Sequence, residues 1–142
     1  MILPDANLLL YAVNTDAPDH AKAFAWWREL LQSGARVGLC TGVVFAFVRL
    51  STNRRVFTRP LTVEEAFNYL KNWRSFPSVE LVTNAPEDVD TVETLLTAAG
   101  TGANLVSDAQ VAAAALRLRA TVHSADADFE RFPGVEWRNP LS

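Results

Sequence analysis

The hydrophobic and polar positions of this chain form two alternating kinds of segment. Short apolar runs predict strands at residues 2–5 and 79–83 and in "RVGLC", "ATVHS" and "GVEW". Between them, segments such as "LLLYAV", "HAKAFAWWRELLQSG" and "VEEAFNYLKNW" carry apolar residues at helical spacing. Strands that alternate with helices pair in parallel through right-handed crossovers, so the pattern predicts an α/β fold with helices covering a parallel sheet.

Polar residues and glycines mark the expected ends of these helices. Asn7 can cap the first helix or turn the chain after the first strand, and Thr41 can cap a helix across 42–52. Thr62 and Glu65 have the spacing of a capping box, while Gly34 suits the end of the second helix. Because the chain shows no linker, internal repeat or low-complexity segment, we expect a single domain over residues 1–142.

Composition narrows the class of protein. Hydrophobic residues make up 49% and charged residues 20% of the chain, which is typical of a globular protein. No apolar run is long enough to span a bilayer, and the N-terminal "MILPDANLLLYAV" has no basic leader, unlike a secretory signal. Cys40 is the only cysteine, which excludes an internal disulfide and agrees with a cytoplasmic location.

Acidic residues follow two of the predicted strands. Asp5 comes directly after the first, and Asp126 follows "TVHS", with Asp128 two residues further on. Asp108 lies in the first turns of a helix whose next residues are nearly all apolar or Ala. Each could be a helix cap or an exposed residue, but ligands of open α/β sheets bind beyond the carboxyl ends of the strands. We therefore expect Asp5, Asp108 and Asp126 to converge at that edge of the sheet.

Such an acidic group suits a divalent metal ion. Grouped carboxylates raise one another's pKa unless a cation offsets their charge. Mg²⁺ fits because it accepts a few carboxylates and keeps water and phosphate oxygens in its octahedral shell. A bound ion of this kind polarises a phosphoryl oxygen and lowers the pKa of bound water. The acids therefore indicate hydrolysis of a phosphodiester.

Four segments together resemble one family. "ILPDANLLLYA", "VRLSTNRRVF", "ANLVSDAQVAAAAL" and "TVHSADADFERFPGVEWRNPL" are similar to the PIN-domain ribonuclease toxins of VapBC toxin–antitoxin modules, in order and over essentially the whole chain. The resemblance implies a three-layer α/β/α sandwich around a small parallel sheet. It also implies a Mg²⁺- or Mn²⁺-dependent endoribonuclease that cuts RNA such as tRNA or rRNA, is blocked by a VapB-like antitoxin and forms a homodimer.

The resemblance also assigns roles to individual residues. The acids that match the family's metal-binding and catalytic positions are Asp5, Asp108, Asp126 and the neighbouring Asp128. Asn7 matches a residue that supports the orientation of the first of these acids. Ser124 could hydrogen-bond behind the metal ligands, although an ordinary serine at a strand end explains it equally well.

One family position departs from the pattern. In the family, the helix after the second strand carries Glu-Phe-x-Arg with a Thr a few residues on, and here the text is "VVFAFVRLSTN". Phe47, Arg49 and Thr52 align, so Ala46 occupies the usual position of the catalytic Glu, and no acidic residue occurs between positions 29 and 64. The chain is then either a natural variant with an incomplete site or a toxin with an introduced change from Glu to Ala. In both cases the resemblance implies impaired nuclease activity.

Basic residues crowd the segment after Ala46. Arg49 lies one helical turn further on and points to the same side, and Arg54, Arg55 and Arg59 follow with no acid among them. The formal net charge of −3 argues against a nonspecific polyanion binder, so the group could be a solvated helix end. Beside an acidic metal site, Arg49, Arg54 and Arg55 are the expected RNA contacts, and an antitoxin contact is the alternative.

Two other classes of protein share parts of this pattern. A phosphoacceptor domain of the response-regulator type also gathers Asp residues above a parallel sheet, but it needs a Lys at the end of the last strand. Lys22 and Lys71 are the only lysines, and both lie in predicted helices. A noncatalytic PIN-fold protein that binds RNA or antitoxin stays open, because Ala46 removes one carboxylate from the site.

Overall fold

The centre of the fold is a five-stranded parallel sheet. The computed structural model describes residues 1–142 and gives the strand order β3-β2-β1-β4-β5, with each neighbouring pair parallel. The strands are β1 (Ile2–Pro4), β2 (Val37–Cys40), β3 (Val79–Val82), β4 (Thr121–His123) and β5 (Trp137–Arg138). Pro4 is paired with His123 across β1 and β4. The segments that follow β1 and β4 therefore begin next to each other.

Six α-helices and one short 3₁₀ helix connect the strands. The α-helices are α1 (Ala6–Val13), α2 (His20–Gln32), α3 (Thr41–Ser51), α4 (Val63–Arg74), α5 (Asp88–Ala99) and α6 (Leu105–Leu118), and the 3₁₀ helix spans Ala127–Arg131. From β1 the chain adds β2 and then β3 on one side, and it then returns to add β4 and β5 on the other side of β1. Right-handed crossovers therefore place α1 to α4 on one face of the sheet and α5 with α6 on the other. The predicted α/β/α sandwich is confirmed.

Strand β2 is buried and is packed closely by side chains of its two neighbouring strands. Its four residues are all buried, which is the pattern of a strand covered on both faces. A Cβ atom at Gly38 would lie 2.6 Å from Leu3 Cδ2 and 2.8 Å from Val82 Cγ2. These distances are too short for a side chain, so glycine is required where β2 meets its neighbours.

Aromatic side chains join the helices on one face. Trp73 of α4 makes edge-to-face contacts with Trp27 of α2 and Phe47 of α3, with ring centroids 5.4 and 5.0 Å apart. Trp26 is less buried than Trp27 and donates from Nε1 to His123 Nδ1 at 3.3 Å. The Trp pair is thus part of the packing that connects α2 to the core and to β4.

The helix caps differ in part from those expected. Asp5, rather than Asn7, caps α1, and its Oδ1 accepts a 2.8 Å hydrogen bond from the backbone N–H of Ala6. Thr41 is the first residue of α3 and does not cap it, because the helix begins one residue earlier than predicted. The capping box of Thr62 and Glu65 is confirmed. None of the helices has the length and apolar character needed to cross a membrane.

Candidate active site

A cleft opens where the central strands end. It has a volume of about 680 Å³ and receives residues that follow β1, β2 and β3 together with residues of α3 and α6. The topology causes this, because the carboxyl ends of parallel strands meet at one edge of the sheet. The residues that line it are Asp5, Ala6, Cys40, Thr41, Gly42, Val43, Phe45, Ala46, Arg49, Leu50, Asn84, Ser107, Asp108, Gln110 and Val111.

Three carboxylates form a compact group at this edge. One oxygen each from Asp108, Asp126 and Asp128 lies within 4.8 Å of the other two. Asp108 comes from the first turn of α6, and the other two come from the segment after β4. Ligand oxygens about 2.0–2.1 Å from Mg²⁺ lie about 3–4 Å apart, so small side-chain movements would suffice to bind a hard cation. The donor set of three carboxylates and no sulfur or imidazole also fits Mg²⁺ or Mn²⁺.

Asp5 lies beside this group but is not part of it. Its Oδ1 is used in capping α1, and its Oδ2 accepts a 2.7 Å hydrogen bond from Ser124 Oγ. The side chain still lines the cleft with Asp108, and its charge raises the pKa of Asp108. Asp5 is therefore held rigidly next to the three acids.

Ser124 and Asn7 connect the segments that carry the acids. Asn7 Nδ2 donates to Asp5 Oδ2 at 3.3 Å and to Ser124 Oγ at 3.2 Å, while Asn7 Oδ1 accepts from the backbone of Ala125. Ser124 is fully buried, and its Oγ also accepts a 3.0 Å hydrogen bond from the backbone N–H of Asp126. The network therefore links α1 directly to the loop that carries Asp126.

The pKa values reflect crowded negative charge. Burial raises the pKa of Asp108 to about 7, and the charges of Asp5, Asp126 and Asp128 add to the increase. Burial also raises the pKa of Asp5, although hydrogen bonds from Ser124 and Ala6 oppose it. Near pH 7 a proton on Asp108 therefore competes with a divalent cation for this carboxylate.

Asp126 and Asp128 also have a local structural role. Asp126 caps the 3₁₀ helix through a 2.9 Å hydrogen bond from the backbone N–H of Asp128 to its Oδ1. Asp128 lies inside that helix and does not cap it, so the possibility that Asp128 is a helix cap is wrong. Its carboxylate lies 3.8 Å from Arg131, at the exposed side of the group.

The structure separates the arginines of the basic segment. Arg49 lines the cleft with Ala46, one helical turn away on α3, and no ion pair engages its guanidinium. Arg54 and Arg55 are exposed in the turn after α3 and do not line the cleft. Arg59 lies 3.8 Å from Asp16. Only Arg49 is therefore placed directly beside the acids.

Sequence reasoning did not identify Asn84, which enters the cleft after β3. Its Nδ2 donates to Asp88 Oδ2 at 2.9 Å and to the backbone oxygen of Gln110 at 3.0 Å. Asp88 is buried and accepts hydrogen bonds from Arg117 of α6 at 3.0 and 3.2 Å. The only signal for Asn84 in the sequence is a polar residue just after the strand "VELV".

Neither Cys40 nor a second groove in the protein is a candidate for catalysis. Burial raises the pKa of the Cys40 thiol to about 12, so the cysteine in the cleft is neutral and a poor nucleophile. A separate groove of about 240 Å³ lies between α2 and α4 and is lined mainly by apolar residues, among them Phe24, Trp27 and Trp73. It contains no acidic residue. The acidic cleft is therefore the candidate for catalysis.

Comparison with known proteins agrees with this geometry. Residues 2–135 match the family model of the PIN domain. Ribonuclease VapC33 of Mycobacterium tuberculosis (strain ATCC 25618 / H37Rv) is 42% identical over 141 residues, which cover 99% of each chain. Ribonuclease VapC37 of the same strain is 44% identical, over 99% of this chain and 97% of its own. This chain belongs to the VapC family of PIN-domain ribonucleases. The family expected from the sequence motifs is thus confirmed.

Solved structures of more distantly similar proteins share the fold of this chain. The structure of Mycobacterium tuberculosis VapC20, described as a sarcin-ricin loop cleaving toxin, superposes with a TM-score of 0.71 at 16% identity, over 96% of this chain and 99% of that one. The structure of FitAB bound to an IR36 DNA fragment gives a TM-score of 0.72 at 20% identity, over 100% and 96%. At these identities the likeness supports the fold alone.

Proposed function

We propose that this chain is the toxin of a type II toxin–antitoxin module and that its cleft is built for metal-dependent hydrolysis of RNA phosphodiester bonds. The observation that carries the proposal is the compact group of Asp108, Asp126 and Asp128, of which Asp108 lines the same cleft as Ala46. The VapC relatives are named ribonucleases, and VapC20 is described as cleaving the sarcin-ricin loop. We propose RNA of the tRNA or rRNA class as the substrate, and the cytoplasm as the location of the protein.

Three of the four acids would bind the divalent ion directly, and the fourth would support them. Asp108, Asp126 and Asp128 would hold Mg²⁺ or Mn²⁺, since their oxygens are already close together. When bound, such an ion supplies Lewis-acid activation of the phosphate and a more acidic water. Asp5, fixed by Ser124, adds negative charge and a hydrogen-bond acceptor beside them. Asn7 and Ser124 would act by keeping that carboxylate oriented.

Ala46 leaves a position in the cleft without its carboxylate. Its side chain lines the cleft with Asp5 and Asp108, so a Glu side chain at this position would extend toward the acids. If that carboxylate orients or deprotonates the attacking water, its loss removes general base catalysis, typically about 10²–10⁴-fold in rate. We therefore propose that the chain with Ala46 is an impaired nuclease.

Arg49 would offset the repulsion between RNA and the acids. Its exposed guanidinium lines the cleft and forms no ion pair, so it is free to bind a phosphate. Arg54 and Arg55 lie outside the cleft and would contact RNA only beyond the cleaved nucleotide. Substitution of Arg49 should thus weaken RNA binding more than substitution of either of the other two.

Restoring the carboxylate at position 46 tests the function. The variant Ala46→Glu should cleave bulk tRNA or rRNA in the presence of Mg²⁺ or Mn²⁺, about 10²–10⁴-fold faster than the parent chain. Ala46→Gln is the matched control, because it has nearly the same size without the charge. Addition of EDTA should abolish the gain. Equal and negligible cleavage by the folded Glu variant and the parent would contradict the proposal.

The alternative is a noncatalytic protein that binds RNA or antitoxin with a PIN fold. Ala46 is the observation that favours it, since the site lacks one carboxylate. The same experiment separates the two functions. A folded Ala46→Glu variant that binds RNA but does not cleave it with either metal would support the alternative.

An antitoxin partner is part of the proposal. One structural relative is VapBC2 from Rickettsia felis, solved in complex with a DNA fragment from its promoter. We propose that a VapB-like antitoxin places an Arg among Asp5, Asp108 and Asp126, where it would replace the charge of the metal. Asp108→Ala should then weaken antitoxin binding. An affinity that does not change in Asp108→Ala or Asp126→Ala would contradict this contact.

We also propose that the chain forms a homodimer. Val63 and Phe67 lie on the same side of α4, at 63% and 38% exposure, and would be covered by a second copy. Light scattering on the purified chain should give twice the mass of 15.6 kDa. A monomer mass at all concentrations would contradict the proposal.

A further inference from the structure

Phe45 is an aromatic side chain on α3 that faces the cleft rather than the core. It is 64% exposed, while Phe47, two residues later, is fully buried. Burying a Phe side chain is worth about 1.5–3 kcal/mol, so this residue does little for the stability of the fold. Phe45 lines the cleft together with Asp108 and Ala46. An exposed ring next to the acidic group therefore requires a separate explanation.

Charged and polar side chains share the cleft with Phe45. Arg49 follows it by four residues, so both side chains project from the same face of α3. Asn84 and Asp108 also line the cleft. A wholly apolar partner surface would cover these groups without offering hydrogen bonds, which is unfavourable. A ring beside a free guanidinium instead fits a nucleotide, which has a flat base and a charged phosphate.

Asn84 presents a fixed acceptor to the same cleft. Both hydrogens of its side-chain amide are used, one by Asp88 Oδ2 at 2.9 Å and the other by the backbone oxygen of Gln110 at 3.0 Å. Asp88 is in turn anchored by Arg117 through two hydrogen bonds. The orientation of the amide is therefore determined, and its Oδ1 has no hydrogen-bond donor from the protein. Because Asn84 is exposed, this oxygen accepts from water in the free protein and can accept from an N–H or O–H group of a ligand that displaces the water.

We propose that Phe45 and Asn84 form a nucleotide-binding subsite beside the acidic group. The ring of Phe45 stacks on a base of the RNA next to the cleaved phosphate, and Asn84 Oδ1 accepts a hydrogen bond from a base N–H or ribose O–H. The cleft volume of about 680 Å³ lies within the usual range of ligand sites. The inference rests on the proposed function, because it takes RNA to be the substrate.

Equilibrium binding to RNA tests the subsite in the chain as it stands. Because the chain with Ala46 is proposed to be an impaired nuclease, and EDTA can be added to prevent metal-dependent cleavage, its affinity for a fluorescein-labelled single-stranded RNA pool of random sequence can be measured by fluorescence anisotropy. Phe45→Ala should weaken binding by about 5- to 100-fold, the range that loss of a stacked base gives. Phe45→Trp should keep the parent affinity. Phe24→Ala is the control, since Phe24 is also an exposed aromatic residue, at 48%, but lies in the separate groove.

A double-mutant cycle tests whether both residues bind one nucleotide. Asn84→Ala should also weaken RNA binding, and the double variant should lose less than the product of the two single losses, because the same nucleotide is already displaced. Thermal unfolding of each variant checks that the fold is kept. Independent, multiplicative effects of Phe45→Ala and Asn84→Ala would overturn the shared subsite.

The outcomes separate this subsite from the proposed function. If Ala46→Glu cleaves RNA and the further change Phe45→Ala leaves both KM and RNA affinity unchanged, the subsite is overturned and the function stands. If light scattering shows that Phe45→Ala loses dimer mass while RNA affinity is kept, the ring is a contact between copies and the subsite is also overturned. If the parent does not bind RNA and Ala46→Glu does not cleave it, both proposals fail.

Discussion

Ser124 Oγ donates a 2.7 Å hydrogen bond to Asp5 Oδ2, and the two residues are 119 positions apart in the chain. The same hydroxyl accepts from the backbone N–H of Asp126 at 3.0 Å. One buried side chain therefore sets the position of two acids that come from opposite ends of the sequence.

Ser124→Ala should weaken both the fold and the metal site. The change leaves Asp5 Oδ2 with only the 3.3 Å contact from Asn7, and it removes the acceptor for the Asp126 N–H. We expect a loss of about 1–3 kcal/mol in the free energy of unfolding and about 10- to 100-fold in Mn²⁺ affinity. Urea unfolding and calorimetric titration with Mn²⁺ measure the two effects.

Ser75→Ala is the matched control for this change. Ser75 is exposed at the end of α4, where its hydroxyl donates to the backbone oxygen of Asn72. It should retain the parent stability to within about 0.5 kcal/mol and leave Mn²⁺ affinity unchanged. Equal metal affinity in Ser124→Ala and the parent would show that Ser124 does not orient the acids.

Metal binding should depend on pH through Asp108. Burial raises the pKa of this residue to about 7, so below pH 7 the carboxyl group must lose a proton before it can bind a cation. We expect the apparent Mn²⁺ affinity to fall by up to about tenfold per pH unit between pH 7 and pH 5. Titration calorimetry in buffers of different ionisation enthalpy measures the affinity and the proton released.

The same raised pKa fixes the sign of the effect on metal-free stability. The folded protein binds this proton more tightly than the unfolded chain, whose Asp has the ordinary value of 3.8. The stabilising contribution is present below that value and is lost as the pH rises through about 7. Asp108→Asn should therefore raise the melting temperature relative to the parent more at pH 8 than at pH 5. An equal difference at both pH values would contradict the assignment.

The ion pair of Asp88 and Arg117 should be a major source of stability on the α5–α6 side. Asp88 is 3% exposed at its side chain, and Arg117 also donates to the backbone oxygen of Thr83 at 2.9 Å. Arg117→Ala would leave the buried carboxylate without its main partner, at a cost on the order of 3 kcal/mol. Urea unfolding measures the loss, and RNA binding should also weaken because Asp88 orients Asn84.

Arg36→Ala is the matched control, because the ion pair of Arg36 and Glu80 is exposed at both side chains and should contribute about 0–1 kcal/mol. Equal losses of stability in Arg36→Ala and Arg117→Ala would contradict the special role of the pair of Asp88 and Arg117.

The stability that Asp88 contributes depends on pH. Burial would raise the pKa of Asp88, but hydrogen bonds from Arg117, Asn84 and Ala85 outweigh it, so the pKa is lowered. The stabilising contribution is present above the ordinary pKa of Asp and is lost as the pH falls through the lowered pKa.

Gly38→Ala should destabilise the sheet. The added methyl group would lie 2.6 Å from Leu3 Cδ2 and 2.8 Å from Val82 Cγ2, in a strand that is buried throughout. Overpacking of this kind costs about 1–3 kcal/mol, which thermal or urea unfolding would detect. Gly42→Ala in α3 is the matched control, since nothing lies within 4 Å of its added Cβ and Ala favours a helix. A variant Gly38→Ala as stable as Gly42→Ala would contradict the close packing.

The local pattern of residues was enough to predict the fold. The alternation of short apolar runs with helical segments predicted the parallel α/β sheet, because the periodicities of strand and helix are local properties of the chain. The Thr62 and Glu65 capping box was predicted for the same reason, since both residues belong to one helical turn. Local spacing could not decide between Asn7 and Asp5 as the cap of α1, because both residues are suited to that role.

The candidate site was predictable only in part. The acids after the strands indicated a common edge, and family-like motifs drew attention to Ala46 and Arg49. The sequence did not indicate which acids form the compact group: Asp108, Asp126 and Asp128 do so, while the oxygens of Asp5 are held by Ala6 and Ser124. Nor did it separate Arg49, which lines the cleft, from Arg54 and Arg55, which do not.

Sequence by itself determined the order of elements, the chemical nature of the acids, the absence of a Glu at position 46 and the family of the chain. The tertiary structure decided which side chains meet. Asp88 lies in the first turn of α5, where an acid is common, yet in the fold it is buried against Arg117, 29 residues away, and orients Asn84. The physical reason is that a hydrogen bond requires atoms within about 3 Å, and for distant residues the packing of whole elements sets that distance.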